Sequence, residues 1–267
     1  MLKPAVVTRA EPPGGPLSRE LERLGVPVLR WPAIGIVPAD TTELAQALKG
    51  VAFDWIVLTS RHGVAALTEL LPAPPPGARI AAVGPASAAA LRERGWPVHL
   101  TGEAGADSLL RAFEAAGIGG RRILHPASSR ALPALGDGLK RLGAEVVSVE
   151  AYRTVPASLD VESCRATLAR GDIGAVTFAS PSAVSELEHA LGCGDFRRLL
   201  TAAAAVAIGP TTAHELTVRG VLPVVAEPHT LRGLAMSCYA LARGIDPGCR
   251  GESVHHAAHG AERNEKP

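Results

Sequence analysis

The chain has 267 residues, of which 47% are hydrophobic, 20% are charged and 3% are aromatic, and its formal net charge is +1. This apolar fraction supports a packed core and excludes wholesale disorder. The near-zero charge and the few aromatic side chains argue against nucleic acid or an anionic membrane as a partner. The four cysteines form no C-x-x-C pair, which predicts free thiols in a reducing compartment. The sequence contains neither a secretory signal core nor an apolar run of membrane-spanning length, so we expect a cytoplasmic protein.

Short apolar runs alternate with helix-period stretches along the chain, a pattern typical of βαβ units around parallel sheets. In chain order the predicted strands are Ala5–Thr8, Val26–Leu29, Trp55–Thr59, Ile80–Val83, Val98–Leu100, Ile123–His125, Glu145–Glu150, Ala175–Phe178, Ala205–Ile208 and Val224–Ala226. The predicted helices are Pro16–Leu24, Thr42–Leu48, Val64–Leu71, Ser87–Arg94, Asp107–Ala116, Leu132–Leu142, Ala183–Leu191, Thr212–Arg219 and Leu231–Ala242. Because the strands are almost continuously apolar, we expect sheets that are buried on both faces, and we predict an α/β fold.

Two short β-prone runs flanked by prolines differ from the rest of this pattern. They are Trp31–Pro38 and Tyr152–Pro156, and each follows the last strand of a βαβ unit. We therefore predict that both segments cross between domains. The proline-rich segment Pro72–Pro76 is predicted to be a surface connection. Residues 244–267, rich in glycine, histidine and charge, are predicted to be a disordered tail.

Three sequence blocks of the first half recur in the second half in the same order. The pairs are Leu21–Gly25 with Leu139–Gly143, Thr59–Val64 with Ala179–Val184, and Ala82–Ala88 with Ala207–Ala213. Any α/β protein repeats strand–turn–helix chemistry, but three collinear matches favour a duplication. Two homologous halves predict two similar domains with a cleft between them, where ligands commonly bind.

Hydroxyl-bearing residues follow five of the predicted strands, where we expect the next helix to begin. These junctions are Thr59-Ser60, Gly84-Pro85-Ala86-Ser87, His125-Pro126-Ala127-Ser128-Ser129, Ser180-Pro181-Ser182 and Gly209-Pro210-Thr211-Thr212. A hydroxyl in this position caps the helix, while main-chain N–H groups and the positive end of the helix dipole attract carboxylate or phosphate. Each junction alone is an ordinary N-cap. Five of them at the carboxyl ends of parallel strands predict an anion-binding cleft.

Four arginines stand near these junctions and could bind carboxylates through two parallel hydrogen bonds. They are Arg9, Arg61, Arg130 and Arg153. The alternative for each is a solvated surface charge. Arg9 is the best placed, because it directly follows the first strand.

Motifs of several other enzyme classes are absent from the sequence, including the P-loop, the dinucleotide-binding glycine motif, the zinc-protease helix and the nucleophile elbow. No nucleophile is paired with a base, and the histidine cluster of the tail does not predict a metal site. Tyr152 is one of only two tyrosines and lies in a predicted crossover. Its phenol either hydrogen-bonds a substrate hydroxyl and assists its departure, or packs between the domains.

In their order, these segments resemble the uroporphyrinogen-III synthase family of tetrapyrrole biosynthesis. The segments that carry the resemblance are Val7–Arg9, Leu58–Val64, Val83–Ala88, Ile123–Ser128, Val149–Thr154, Phe178–Val184 and Ile208–Ala213. The resemblance implies two parallel-sheet α/β domains joined by a two-stranded β connector, with the two duplicated halves interleaved. The implied first domain comprises residues 1–33 and 156–243, the second comprises 38–151, and the connector comprises 34–37 and 152–155.

The resemblance also implies a reaction: closure of hydroxymethylbilane to uroporphyrinogen III, with inversion of ring D and loss of water through a spiro intermediate. It implies no metal and no organic cofactor, and we expect a monomer. Tyr152 matches the family tyrosine proposed to hydrogen-bond the departing hydroxyl, and Ser60, Ser87, Ser180 and Thr211 or Thr212 match hydroxyl positions that line the cleft. Together with the junctions and arginines above, the predicted substrate-binding residues are Arg9, Thr59, Ser60, Arg61, Gly84, Ser87, Ser128, Ser180, Ser182, Gly209, Thr211 and Thr212.

Two other interpretations remain open at the level of sequence. A non-catalytic two-domain protein that binds an anionic metabolite would share the helix N-termini but would not need Tyr152. A sugar- or phosphate-transferring enzyme with a doubly wound sheet would ordinarily carry a catalytic carboxylate or base at a strand end.

Overall fold

The computed structural model describes residues 2–102 and 105–245, which divide into two compact units. Unit 1 combines the residues up to Ala33 with those from Ser158 onward, and unit 2 comprises Ile34–Ala157. The predicted tail lies outside the described residues, apart from Gly244 and Ile245.

Eleven strands and eleven helices occupy these described residues. The strands are β1 (Ala5–Val7), β2 (Val28–Arg30), β3 (Ile34–Pro38), β4 (Trp55–Leu58), β5 (Arg79–Val83), β6 (Leu100–Gly102), β7 (Arg122–Ser128), β8 (Glu145–Pro156), β9 (Ala175–Phe178), β10 (Ala204–Ala207) and β11 (Val224–Val225). The helices are α1 (Pro16–Arg23), α2 (Thr42–Gly50), α3 (Arg61–Leu70), α4 (Pro85–Arg92), α5 (Ala106–Ala116), α6 (Ala134–Arg141), α7 (Val161–Arg170), α8 (Pro181–Leu191), α9 (Cys193–Ala202), α10 (Pro210–Thr217) and α11 (Leu231–Ala242).

Each unit is built on one sheet. In unit 1 the strand order is β11-β10-β9-β1-β2, and every pair is parallel. In unit 2 the order is β3-β8-β7-β4-β5-β6, and the pairs are parallel except β3 with β8, which is antiparallel. The residues Ile34–Pro38 and Tyr152–Pro156, predicted as crossovers, are the two partners of this antiparallel pair.

The strand orders carry the signature of an interleaved duplication. Unit 1 takes β1 and β2 from the start of the chain and β9, β10 and β11 from its end. Unit 2, leaving β3 aside, takes β7 and β8 as its first two strands and β4, β5 and β6 as its last three. Counted in this way, both sheets have the doubly wound order 2-1-3-4-5. The opening strands of the second repeat therefore sit with the later strands of the first.

Both faces of each sheet are buried because alternate strand residues point to opposite sides. In β4, Ile56 and Leu58 pack with Val64 and Leu67 of α3 in what we call the α3-side core. The intervening Trp55 and Val57 pack on the other face, in the α5/α6-side core. All four residues of β4 are at most 3% exposed. This explains the continuous apolar runs of the sequence.

The structure differs from the predicted elements in several places. Helices α7 and α9 were not predicted, although Asp160 is an N-cap that accepts a hydrogen bond from the Ser163 N–H. Strand β8 is longer than the predicted Glu145–Glu150, because its pairing with β3 continues into the proline-flanked run. The helices after β4, β5, β9 and β10 begin two or three residues earlier than predicted, three of them with proline in the first turn.

Candidate functional site

The strand order of each sheet identifies where a ligand is expected to bind. In a doubly wound sheet this is beyond the carboxyl ends of the strands, where the strand order reverses direction. In unit 2 that point lies between β7 and β4, and in unit 1 it lies between β1 and β9. Predicted site residues lie at these positions, among them Ser128 and Ser60 in unit 2 and Arg9 and Ser180 in unit 1.

Ser60 connects helix α3 to Tyr152. It has extended backbone angles and is the N-cap of α3, where its Oγ accepts a hydrogen bond from the Gly63 N–H at 3.0 Å. The same hydroxyl donates to the Tyr152 Oη at 2.9 Å. The His62 ring lies beside the phenol, with 5.5 Å between ring centroids. The N-terminus of α3 therefore contributes one hydrogen bond to the Tyr152 hydroxyl and one ring contact to its phenol.

A β-bulge determines the direction in which Tyr152 points. The pairing of β7 with β8 aligns Ala127 with Glu150 but Ser128 with Tyr152, so Ala151 is an extra residue. Strict alternation would place Tyr152 on the same face as Glu150. With the extra residue, Tyr152 packs instead against the α3-side core, to which Ala151 also belongs.

The main chain holds Tyr152 between two neighbouring strands. Its carbonyl accepts a hydrogen bond from the Ser129 N–H at 3.0 Å, and Tyr152 pairs with Pro38 of β3 on the other side. Beyond it, the hydroxyls of Ser128 and Thr154 lie 2.8 Å apart. The catalytic candidate is thus placed by strands rather than by a loop, which favours a fixed geometry.

The junction predicted at Ser128-Ser129 is wrong as a helix N-terminus. Strand β7 continues through Ser128 because its pairing with β8 extends to that residue, and the next helix begins only at Ala134. Ser128 remains at the carboxyl end of β7, with its hydroxyl engaged with Thr154.

Ser180 is the counterpart of Ser60 in unit 1. It is the N-cap of α8, again with extended backbone angles, and its Oγ accepts a hydrogen bond from the Ala183 N–H at 3.3 Å. Its second contact is the Ser182 hydroxyl, 3.1 Å away. Both serines are partly exposed at the carboxyl end of the sheet.

The two Gly-Pro junctions have no hydroxyl cap, which corrects the prediction for them. Gly84 and Gly209 are themselves the N-caps of α4 and α10, without a side-chain hydrogen bond. The hydroxyl residues three positions later, Ser87 and Thr212, are only 3% and 2% exposed, because they lie on the core-facing side of their helices. Thr211, in contrast, is exposed. Gly84 has a φ of 84°, which favours glycine.

Arg9 pairs with a carboxylate of its own chain. Its Nη1 lies 3.3 Å from the Glu11 Oε2. The Glu11 side chain is 2% exposed and also accepts hydrogen bonds from the N–H groups of Leu17 and Ser18 and from the Ser18 hydroxyl. Glu11 therefore occupies the α1 N-terminus in the way a bound anion would. Sequence reasoning missed Glu11, because a glutamate five residues before a helix carries no local capping signal.

The remaining predicted residues lie beside the α3 N-terminus or on the surface. Thr59 directly follows β4 and is half-buried, and Arg61 is exposed at the first position of α3. Arg153 is exposed and paired with Glu150, and this hydrogen bond raises the pKa of its guanidinium. Sequence reasoning also missed Gly63: a side chain there would approach the Pro126 carbonyl to 3.3 Å, so glycine lets α3 pack closely against β7.

A separate hollow of about 340 Å³ lies on the opposite face of unit 2, beside α6, and includes His125, Ser148 and Lys140 in its lining. His125 is 4% exposed, and burial lowers the pKa of its imidazole. Its Nδ1 lies 3.4 Å from the Ser148 Oγ, while its buried Nε2 has no hydrogen-bond partner. Because Nε2 is buried, we interpret His125 as a neutral residue of the core and not as a ligand-binding residue.

Comparison with known proteins decides the family. Residues 15–236 match the family described as Uroporphyrinogen-III synthase HemD. The chain belongs to the uroporphyrinogen-III synthase family. The predicted family and enzyme class are therefore confirmed.

Relatives of known name cover nearly the whole chain. The uroporphyrinogen-III synthase of Synechococcus elongatus is 27% identical over 256 residues, which are 90% of this chain and 96% of that protein. That of Chlorobaculum parvum is 28% identical over 229 residues, 82% of this chain and 91% of that protein.

Solved structures of the family share the α/β fold. A mutant uroporphyrinogen III synthase of Thermus thermophilus aligns with a TM-score of 0.63 at 24% identity, covering 90% of this chain and 99% of that chain. The Helicobacter pylori enzyme aligns with a TM-score of 0.59 at 14% identity, covering 90% and 100%. In the described part of this synthase-family chain, no helix is both long enough and apolar enough to span a membrane.

Proposed function

We propose that this synthase converts hydroxymethylbilane to uroporphyrinogen III, inverting ring D and releasing water through a spiro intermediate, without a cofactor. The observation that carries the proposal is the Ser60–Tyr152 hydrogen bond at the carboxyl end of β4, in a chain of this family. The substrate brings its own leaving hydroxyl and its own electron-rich carbon nucleophile. The protein then has to impose one reactive conformation and to assist one departure.

Tyr152 is the group we assign to the departing hydroxyl. A phenol is a neutral hydrogen-bond donor at neutral pH, and donation to the leaving oxygen lowers the barrier to carbon–oxygen bond cleavage. The side chain is partly exposed within β8. The neighbouring His62 ring and the α3-side core restrict its motion.

Helix N-termini are the groups we assign to the acetate and propionate arms of the substrate. Four helices, α3, α4, α8 and α10, begin directly after a parallel strand, and their first main-chain N–H groups lack intrahelical acceptors. We assign Ser180, Ser182 and Thr211 to side-chain contacts with these arms. Gly84 and Gly209 would act through their main chains. Buried Ser87 and Thr212 would support their helices rather than touch the substrate.

Arginines and the remaining polar residues complete the proposed binding set. Arg61 is exposed at the α3 N-terminus, where its guanidinium could form two parallel hydrogen bonds with a carboxylate. Arg9 would have to share its guanidinium between Glu11 and the substrate. Thr59 and Ser128 lie at the ends of β4 and β7, and Ser128 pairs with Tyr152.

The direct test is incubation of the purified chain with hydroxymethylbilane, followed by oxidation and separation of the type I and type III porphyrins. We expect the type III isomer to dominate. Formation of type I alone, at the spontaneous rate, would refute the proposal and would fit a protein that merely binds an anionic metabolite.

We further propose that the enzyme acts as a monomer in the cytoplasm, without nucleic acid. The near-zero net charge supports the absence of nucleic acid, and the free thiols of Cys164, Cys193 and Cys238 are typical of a reducing compartment. Light scattering during gel filtration would test it, and a dimer mass would contradict it.

A further inference from the structure

We propose that Ser60 is a positioning residue that leaves the hydroxyl proton of Tyr152 available to the substrate. This inference rests on the proposed function, because it assigns the departing hydroxyl to Tyr152. It goes beyond the prediction from sequence, in which Ser60 is only a substrate-binding hydroxyl. The role of Ser60 depends on which of the two hydroxyls donates.

The geometry of the Ser60–Tyr152 contact gives the direction of donation. A serine hydroxyl has one proton and two acceptor positions. The Gly63 N–H can only donate, so it uses an acceptor position of the Ser60 Oγ at 3.0 Å. The contact with Tyr152 has the geometry of Ser60 donating to the phenol oxygen, at 2.9 Å. The single hydroxyl proton of Ser60 is therefore donated to the Tyr152 oxygen.

This direction of donation leaves the Tyr152 hydroxyl proton free for another acceptor. The phenol oxygen accepts the bond from Ser60, so its own proton is not required for that contact. It is left to donate to a second acceptor, which in the proposed reaction is the leaving hydroxyl. The chain of donors runs from the Gly63 N–H through Ser60 to Tyr152, and each bond polarises the next. It starts at the positive end of the α3 dipole.

Three local features maintain this arrangement. The bulge at Ala151 turns Tyr152 toward α3. Gly63 allows the α3 N-terminus to approach β7 closely, since a side chain would lie 3.3 Å from the Pro126 carbonyl. The equivalent serine of unit 1, Ser180, has the same cap geometry but contacts a second serine instead of an aromatic residue. The relay is therefore a property of unit 2, and not of the repeated motif.

The kinetic test compares Ser60→Ala, Ser60→Thr and Tyr152→Phe, alone and combined. We expect Ser60→Ala to lower kcat about fivefold to tenfold, the effect of one lost hydrogen bond, with a smaller change in KM. Ser60→Thr should restore kcat, because it keeps the hydroxyl. Ser60→Ala should have no further effect on kcat when Tyr152 is already phenylalanine. Additive losses in the double variant would overturn the proposal.

A matched control separates positioning from the loss of a helix cap. Thr230 is the N-cap of α11, and its hydroxyl accepts a hydrogen bond from the Gly233 N–H at 3.1 Å, as Ser60 does from Gly63. We expect Thr230→Ala to lower the unfolding temperature like Ser60→Ala while leaving kcat unchanged. An equal loss of kcat in both variants would identify the Ser60 effect as general destabilisation and overturn the proposal.

A spectroscopic test is independent of the reaction. Because the chain has two tyrosines, biosynthetic incorporation of fluorotyrosine should give two fluorine NMR resonances, which Tyr239→Phe assigns. Ser60→Ala should move the Tyr152 resonance and Thr230→Ala should not. An unmoved resonance would overturn the hydrogen bond itself. A moved resonance with full activity of Tyr152→Phe would instead refute the role of Tyr152 in the proposed function, and with it the use of the relay in catalysis.

Discussion

The two serine N-caps at Ser60 and Ser180 have the same local structure and different surroundings. Each follows a central parallel strand, adopts extended backbone angles and caps a helix through the N–H three residues later. Ser60 then reaches Tyr152, whereas Ser180 reaches Ser182. The strand-to-helix junction is thus alike in the two units, and the neighbouring strand determines what its hydroxyl contacts.

The neighbouring strands explain this difference. In unit 2 the strand beside β7 is β8, which has 12 residues, a bulge and an antiparallel partner in β3. In unit 1 the corresponding strand is β2, which has 3 residues and ends at Arg30. Of these two strands, only β8 is long enough to bring a side chain, that of Tyr152, into contact with the serine N-cap. We therefore expect unit 2 to supply the chemistry, and unit 1 to contribute chiefly to binding.

The largest expected effect comes from Tyr152→Phe. The ring keeps its packing against the α3-side core, but the donor to the leaving hydroxyl is lost. We expect kcat to fall about a hundredfold or more, the range for loss of a general acid, with the substrate closing spontaneously to the type I isomer. The ratio of type III to type I porphyrin measures this. An unchanged ratio would contradict the expectation that unit 2 supplies the chemistry.

A smaller effect is expected in unit 1 from Glu11→Gln. The carboxylate is buried at the α1 N-terminus, where it accepts main-chain hydrogen bonds and pairs with Arg9. We expect the free energy of unfolding to drop by about 1–3 kcal/mol, because charge-assisted bonds are replaced by neutral ones. Urea unfolding checks this. No loss of stability would show that the α1 N-terminus does not depend on its internal anion.

Ser180→Ala should act on binding. The serine is assigned to one arm of the substrate, so its loss should raise KM by about fivefold, corresponding to about 1 kcal/mol for one hydrogen bond. The fold-change in kcat should be smaller than in Ser60→Ala. Steady-state kinetics on both variants measures the contrast. If Ser180→Ala lowered kcat as strongly as Ser60→Ala, the two caps would have equivalent roles.

The smallest effect is a pH dependence that is confined to unit 2. Burial lowers the pKa of His125 below its ordinary value of 6.5, so the unfolded chain binds this proton more readily than the folded chain. Stability is then fully present above pH 6.5 and decreases as the pH falls toward the folded pKa. In His125→Phe this contribution should vanish. Unfolding temperatures of both proteins across this range measure it, and parallel curves would contradict it.

Much of the fold could be predicted because its signals are local. The apolar strands β1, β4, β5 and β9 and most helices follow from period and composition, and family membership agrees with the motif order. Helix α7 was missed, although Asp160 caps it, because its apolar pattern is weak. The hydroxyl caps predicted at Gly84 and Gly209 were wrong, because the sequence does not state that Ser87 and Thr212 face the core.

By itself, the sequence determined an α/β protein with an internal duplication, a family and Tyr152 as a candidate catalytic residue. These depend on residue type and spacing along the chain. The tertiary structure alone decided that Ser60 donates to Tyr152, that Glu11 fills the α1 N-terminus and that β7 runs on to Ser128. The Tyr152 contact and the extent of β7 depend on the register and the bulge between β7 and β8, which a one-residue shift would reverse. The Glu11 contacts depend on how the loop before α1 folds back onto the helix.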